Sequence, residues 1–126
     1  MLVLVTGGAG FIGSHLTERL LAGGHAVRVL DNLSSGKRAN LPLHSRLEFV
    51  HGDIRDRRQV DAAVTGAAVV CHLAAVASVQ ASVEDPVGTH ASNFLGTLHL
   101  LEAARRQGVR RFLYAGVWDL LIPRPT

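Results

Sequence analysis

The chain has one cysteine, one tyrosine and one tryptophan among its 126 residues, and only one of its thirteen Lys and Arg residues is a lysine, Lys37. A single thiol, Cys71, excludes an intrachain disulfide framework, and its place in the apolar run "VVCH" suits a small buried hydrophobe. Long hydrophobic runs are also missing. The stretch "AAVVCHLAAVA" at 67–77 is too short and too interrupted to cross a bilayer, so no membrane partner is expected. The opening "MLVLVTGG" has no basic region ahead of its apolar residues and runs straight into glycines, which reads as a strand and not a signal peptide; a cytoplasmic protein is expected. The net charge is +3, yet the basic clusters "RDRR" (55–58) and "RRQGVRR" (105–111) lack interleaved aromatics on which bases stack. No nucleic-acid partner is therefore expected, and Arg105 and Arg106 fall where a helix ends and its dipole favours cations. The seven histidines form no HxxxH, HxH or Cys/His pairing at ligand spacing, so no metal site is expected and each reads as a surface or satisfied core histidine.

What is present is alternation. With 48% apolar residues the chain can fill the core of one domain. "LVLVT" (2–6) is a continuous apolar run ending in "GGAG", the pattern of a strand buried on both faces in a parallel sheet. From Phe11 to about Ala22 the residues Ile12, Leu16 and Leu20 recur every four positions, and Gly23 and Gly24 end the helix. "HAVRVLD" (25–31) is the second strand. The polar stretch "NLSSGKRANLP" makes a long turn, with room for one helical turn, before a third strand at "LEFVHGD" (47–53). A helix from about Asp56 to Val64 leads to a fourth strand, "AVVCHLA" (68–74). Asp85 and Pro86 start a helix in the preferred order of cap and first turn. Val87, Ala91, Phe94, Leu98 and Leu101 then step along one expected face until Gln107 and Gly108, and "VRRFLYA" (109–115) is the fifth strand. The expected fold class is α/β, a doubly wound parallel sheet, because parallel neighbours need right-handed crossovers.

The run "VTGGAGFIGSH" places Gly8, Gly10 and Gly13 in G-x-G-x-x-G spacing and Gly7, Gly10 and Gly13 in G-x-x-G-x-x-G spacing. Between a strand and a helix, such glycines let the backbone turn tightly and approach a pyrophosphate at the helix N-terminus. Asp31 ends the second strand eighteen residues after Gly13, where an acidic residue accepts hydrogen bonds from adenosine ribose hydroxyls. Its charge favours NAD over the extra phosphate of NADP, against the pull of nearby Lys37 and Arg38. Asp53 is similarly placed to meet the adenine edge, although a strand-ending "GD" is also a common turn.

Five ordered blocks, "TGGAGFIGSHL", "DNLSSGKRANL", "GDIRD", "HLAAVASV" and "SVEDPV…N…GTLHLLEAAR", resemble the extended short-chain dehydrogenase family, in particular its NAD-dependent nucleotide-sugar epimerases and dehydratases of the UDP-glucose 4-epimerase type. The resemblance runs from residue 1 to about 115 and implies a Rossmann sheet of about five strands in the order 3-2-1-4-5. It implies that Gly7, Gly10, Phe11, Ile12 and Gly13 hold the pyrophosphate of NAD, and that Asp31, Asn32, Ser35 and Gly36 hold the adenosine ribose side. Asp53 and Ile54 are then expected at the adenine, Leu73, Ala74 and Ala75 along the middle of the cofactor, and Asn93 on the nicotinamide side; the alternative for Asn93 is a solvent-facing helix position. The resemblance also implies a homodimer through the helix of residues 86–107, and a nucleotide sugar as substrate of a full-length relative.

After the fifth strand the resemblance stops. Family members carry a serine or threonine there, a Tyr-x-x-x-Lys pair for acid/base work on a sugar hydroxyl, and a C-terminal substrate domain. Here Tyr114 is followed four residues later by Trp118, Lys37 lies far upstream, and Val117 stands near the hydroxyl position. Residues 1–115 are thus expected to be the NAD-binding part and 116–126 a non-family tail, with a frameshift or gene truncation after about Ala115 as the expected cause and no catalytic residue retained. A non-catalytic NAD-binding module working with a partner chain is the alternative.

Overall fold

The structure is a computed structural model in which residues 1–34, 36–74 and 83–114 are described. The expectations for Ser35, Ala75 and the tail at 116–126 lie outside the described residues. Five parallel strands, β1 (Leu2–Thr6), β2 (Ala26–Asp31), β3 (Leu47–His51), β4 (Val69–His72) and β5 (Arg111–Tyr114), form one sheet in the order β3-β2-β1-β4-β5. This is the expected doubly wound order, and the direction of winding reverses between β1 and β4. Open sheets bind ligands outside the carboxyl ends of the strands at that reversal. Thr6 lies opposite Leu30 on one side and His72 on the other, and Asp31 lies opposite His51.

Strand alternation feeds two cores. Val3 and Val5 join Val27, Val29 and Cys71 on one face, while Leu4 joins Leu30 and Val70 on the other. Helix α1 (Phe11–Ala22) covers the first face with Leu16, Leu20 and Leu21. Ile12, expected on that face, is instead exposed, because the first turn of α1 overhangs the carboxyl edge of the sheet and burial begins at Gly13. The second core lies under α2 (Arg57–Val64) and α4 (Gly96–Arg106), with Val60, Ala63, Val64, Leu100 and Ala103 buried.

The helix expected over 86–107 has three parts: α3 (Pro86–His90), a π-helical turn (Ala91–Leu95) and α4. Asp85 caps α3, its Oδ1 accepting the Gly88 N–H at 3.0 Å. The π turn inserts a residue and rotates α4 relative to α3, so positions spaced for one α-helix no longer share a buried face. Val87, Phe94, Leu98 and Leu101 are exposed, and α4 packs through Gly96, Leu100, Ala103 and Ala104. Arg28, a charge in the middle of β2, donates from Nη1 to the Ala63 and Thr65 carbonyls at the end of α2, both at 2.6 Å, and from Nε to Glu48 at 2.8 Å. Those carbonyls are the groups a helix end leaves without intrahelical donors.

Candidate functional site

The site is assembled at the carboxyl edge of the sheet, beginning with the turn between β1 and α1. Gly7 adopts φ +71°, a conformation that L side chains rarely hold. Its N–H donates to the Leu30 carbonyl at 2.9 Å. Side chains on Gly7 or Gly13 would run into backbone, of Leu73 and Ala74 in the first case and of Gly7 and Gly8 in the second. Gly8 differs: a Cβ there would meet the Val29 side chain in the core, so Gly7, Gly10 and Gly13 are the glycines that shape the turn surface. At Gly10 a Cβ would meet only the Gly7 carbonyl oxygen, at 3.4 Å. The space above Gly10 is therefore open.

Gly10 is also the N-cap of α1, and no side chain caps this helix. By contrast, Asp56 caps α2 by accepting the N–H groups of Arg58 and Gln59. The first-turn N–H groups of α1 thus combine the positive end of the helix dipole with an open approach, an arrangement suited to an anion. Phe11 and Ile12 expose their side chains, so their expected part in holding a pyrophosphate falls to their backbone N–H groups.

The ribose side is clamped onto that turn. Asp31 is buried, its Oδ2 accepting the Ala9 N–H at 2.9 Å and its Oδ1 the Leu33 N–H at 2.8 Å. Each oxygen keeps a further lone pair for a ligand hydroxyl. The Ala9 carbonyl accepts from Lys37 N at 3.1 Å and Asn40 Nδ2 at 2.8 Å, and Gly36 packs against the Ala9 and Gly10 backbone. Leu33 holds φ +61° within this loop. The exposed Asn32 accepts the Ser34 N–H on its side-chain oxygen. Asn40 was not legible as a site residue, because a polar residue in a turn gives no sign of the backbone it reaches 31 positions away.

At the expected adenine end, Asp53 is engaged by the Arg55 guanidinium at 2.7 Å, and this hydrogen-bonded partner holds its carboxyl below the usual carboxylate range. The Ile54 side chain is buried in the second core against Gly96, where the missing Cβ makes room for it, so its expected part at the adenine falls to its backbone. Only its backbone remains for a ligand, and its carbonyl accepts from His99 Nδ1 at 3.1 Å.

In the middle of the site, the Leu73 and Ala74 N–H groups donate to Thr6 Oγ1 at 3.0 and 3.1 Å. The same oxygen lies 2.6 Å from His72 Nδ1. His72 Nε2 lies 2.8 Å from Thr97 Oγ1, which donates to the Asn93 carbonyl at 3.0 Å. Asn93 is half-buried in the π turn. The His72 ring is fully buried and stacks on Tyr114 at 5.4 Å. Burial lowers its pKa to about 4, so it is neutral at pH 7. This is the satisfied core histidine of the two readings the sequence allowed, and its partners Thr6 and Thr97 are visible only in three dimensions.

Comparison with known proteins bears on this geometry. Residues 3–117 match the family model described as the NAD dependent epimerase/dehydratase family. The chain is 49% identical over 125 residues to the UDP-glucose 4-epimerase of Mycolicibacterium smegmatis, covering 90% of this chain and 38% of that protein. It is 45% identical over 116 residues to a 3 beta-hydroxysteroid dehydrogenase/isomerase of Mycobacterium tuberculosis, covering 89% of this chain and 30% of that one. Among solved structures, the Thermus thermophilus UDP-glucose 4-epimerase in complex with NAD is 53% identical with a TM-score of 0.82, over 89% of this chain and 36% of that chain. The chain thus spans about two fifths or less of the length of these relatives.

Proposed function

Because the chain belongs to the NAD dependent epimerase/dehydratase family, we propose that its first 115 residues form the NAD-binding part of a nucleotide-sugar epimerase of the UDP-glucose 4-epimerase kind, with 116–126 as a separate tail. The observation that carries this reading is the uncapped N-terminus of α1 over the open Gly10, with the buried Asp31 carboxylate on the adjoining strand. The N–H groups of the first turn of α1 face the pyrophosphate. Asp31 accepts from the ribose hydroxyls while it holds Ala9, and Asn32 and Gly36 line the same side; the resemblance adds Ser35 to this set. Asp53 and the Ile54 backbone meet the adenine. Leu73, Ala74 and Asn93 border the nicotinamide half, and the resemblance adds Ala75 to them. NAD, when bound, supplies the hydride acceptor for oxidation of a sugar hydroxyl.

The Arg38 guanidinium stacks 4.6 Å from the Phe49 ring centroid, a contact that a 2′-phosphate on NADP would have to compete with. The nucleotide sugar enters as a proposal only for a longer chain. The similarity to a steroid dehydrogenase at 45% identity supports placing substrate choice outside these residues. Isothermal calorimetry on the full chain is expected to show NAD binding and NADP binding at least about tenfold weaker, the difference expected when a carboxylate faces a phosphate. The same preparation is expected not to interconvert UDP-glucose and UDP-galactose, because the sequence has no Tyr-x-x-x-Lys pair. Equal affinity for the two dinucleotides contradicts the Asp31 assignment, and turnover contradicts the inactive reading.

The exposed Leu98 and Leu101, three positions apart on α4, support a second copy of this chain as a partner, as the resemblance implies. Light scattering is expected to report a dimer that Leu98→Glu converts to monomer. A monomeric parent chain removes this proposal.

A further inference from the structure

The contacts proposed for the nicotinamide half of NAD lie on two separate elements, the end of β4 and the π turn, and one buried side chain bridges them. The direction of each proton in that bridge follows from counting donors and acceptors. The Asn93 carbonyl can only accept, so Thr97 gives it the hydroxyl hydrogen and has only lone pairs left for His72 Nε2. Nε2 must therefore carry a hydrogen. Thr6 Oγ1 receives the Ala74 N–H and shares the Leu73 N–H with the Thr6 carbonyl; with Nε2 carrying the hydrogen of the neutral ring, Nδ1 is bare and Thr6 donates to it. A cationic ring would add a further N–H donor to a hydroxyl oxygen that already accepts from the Ala74 amide and shares that of Leu73. The neutral Nε2–H tautomer satisfies every atom, and no buried side-chain polar atom among the described residues is left without a partner.

We propose that His72, fixed in this tautomer, is a positioning residue for the nicotinamide half of the cofactor: it holds the Leu73–Ala74 backbone beside Gly7 and sets its spacing from the π turn that carries Asn93. The relay cannot lengthen on one side alone. Tyr114 stacks on the ring and Phe112 lies tilted against it at 6.2 Å, so the imidazole has no other seat. A π turn widens the helix by one residue and is tolerated where other contacts support it; here the Thr97 hydroxyl, held from outside by His72, bonds a carbonyl inside it. The adenosine and pyrophosphate contacts do not run through this relay. They depend on Ala9, Asp31 and the first turn of α1.

The inference rests on the NAD reading, and the test separates the two. Thr97→Val keeps the side-chain shape and removes the hydroxyl, while Thr97→Ser keeps the hydroxyl. In calorimetry on the full chain, Thr97→Val is expected to raise the Kd for NAD about tenfold, the scale of one lost buried hydrogen bond. Its Kd for ADP is expected to stay within about twofold, since ADP reaches only the other half of the site, and Thr97→Ser is expected to recover NAD binding. Nitrogen-15 NMR of the wild type is expected to show His72 protonated at Nε2 and bare at Nδ1 at neutral pH. The Nδ1–H tautomer, unchanged NAD affinity in Thr97→Val, or an equal loss of NAD and ADP binding would overturn the proposal. A folded wild-type chain that binds neither NAD nor ADP overturns the cofactor reading itself, and the positioning role with it.

Discussion

Gly10→Val is expected to leave a folded chain that no longer responds to NAD. The substitution is unusual among glycine changes in this turn because the protein itself has room for it. A Cβ at residue 10 meets a single atom at 3.4 Å, and the backbone there is extended, at φ −76° and ψ 179°, which suits a β-branched residue. Valine caps a helix less well than glycine, which costs up to about 1 kcal/mol. The isopropyl group stands where the pyrophosphate has to approach the first turn of α1. At a hundredfold excess over its Kd, NAD is expected to stabilise the wild type by about 2.7 kcal/mol, a rise in Tm of roughly 10 °C for a chain of this size. Thermal melts with and without NAD are expected to coincide for Gly10→Val. A full shift in the variant shows that the anion does not sit over α1.

The second large effect is a loss of stability in acid that originates at His72. Its pKa of about 4 in the folded protein lies below the ordinary 6.5, so the unfolded chain takes up a proton that the folded chain refuses. The contribution is therefore complete above pH 6.5, declines as the pH falls through the window from 6.5 to about 4, and is absent below it. That separation corresponds to about 3 kcal/mol. Protonation also ends the acceptor role of Nδ1 and leaves two donors facing each other across the 2.6 Å contact to Thr6. Asp53, depressed by Arg55, weakens the fold only below the ordinary carboxylate range and does not share this window. Urea unfolding at pH 7 and pH 4 measures the difference, and a native imidazole seen to titrate near 6.5 by NMR contradicts it.

The strands and the glycine turn were legible in the sequence because both are written in local pattern, whereas the strand order came from the family resemblance. Continuous apolar runs mark strands buried on two faces, and α1 spans Phe11 to Ala22 as its bounding glycines indicate. What was hidden depends on phase or on distance along the chain. The residues from Pro86 to Arg106 carry apolar side chains on more than one helical face, and only the π turn decides that Leu100, not Leu98, is buried. Ile54 follows Asp53 in a motif-like pair, but the direction of its side chain depends on Gly96, 42 positions later in the sequence. Asn40 and Arg28 act through hydrogen bonds to backbone far along the chain, and Thr97 through one to the His72 side chain 25 positions away; composition gives no sign of such partners.

The Ala9 clamp has a consequence for motion. The amide of Ala9 is held by β2 and its carbonyl by the loop that follows β2. Neither segment can detach without exposing a backbone group of a residue that is fully buried. Opening of the glycine turn is therefore expected to be coupled to opening of the loop, because the turn cannot move without breaking the bonds from Lys37 and Asn40 to the Ala9 carbonyl. A dinucleotide spanning both segments stabilises only their joint closed state. Saturating cofactor is then expected to slow solvent exchange at the amides of Ala9, Leu33 and Lys37 together.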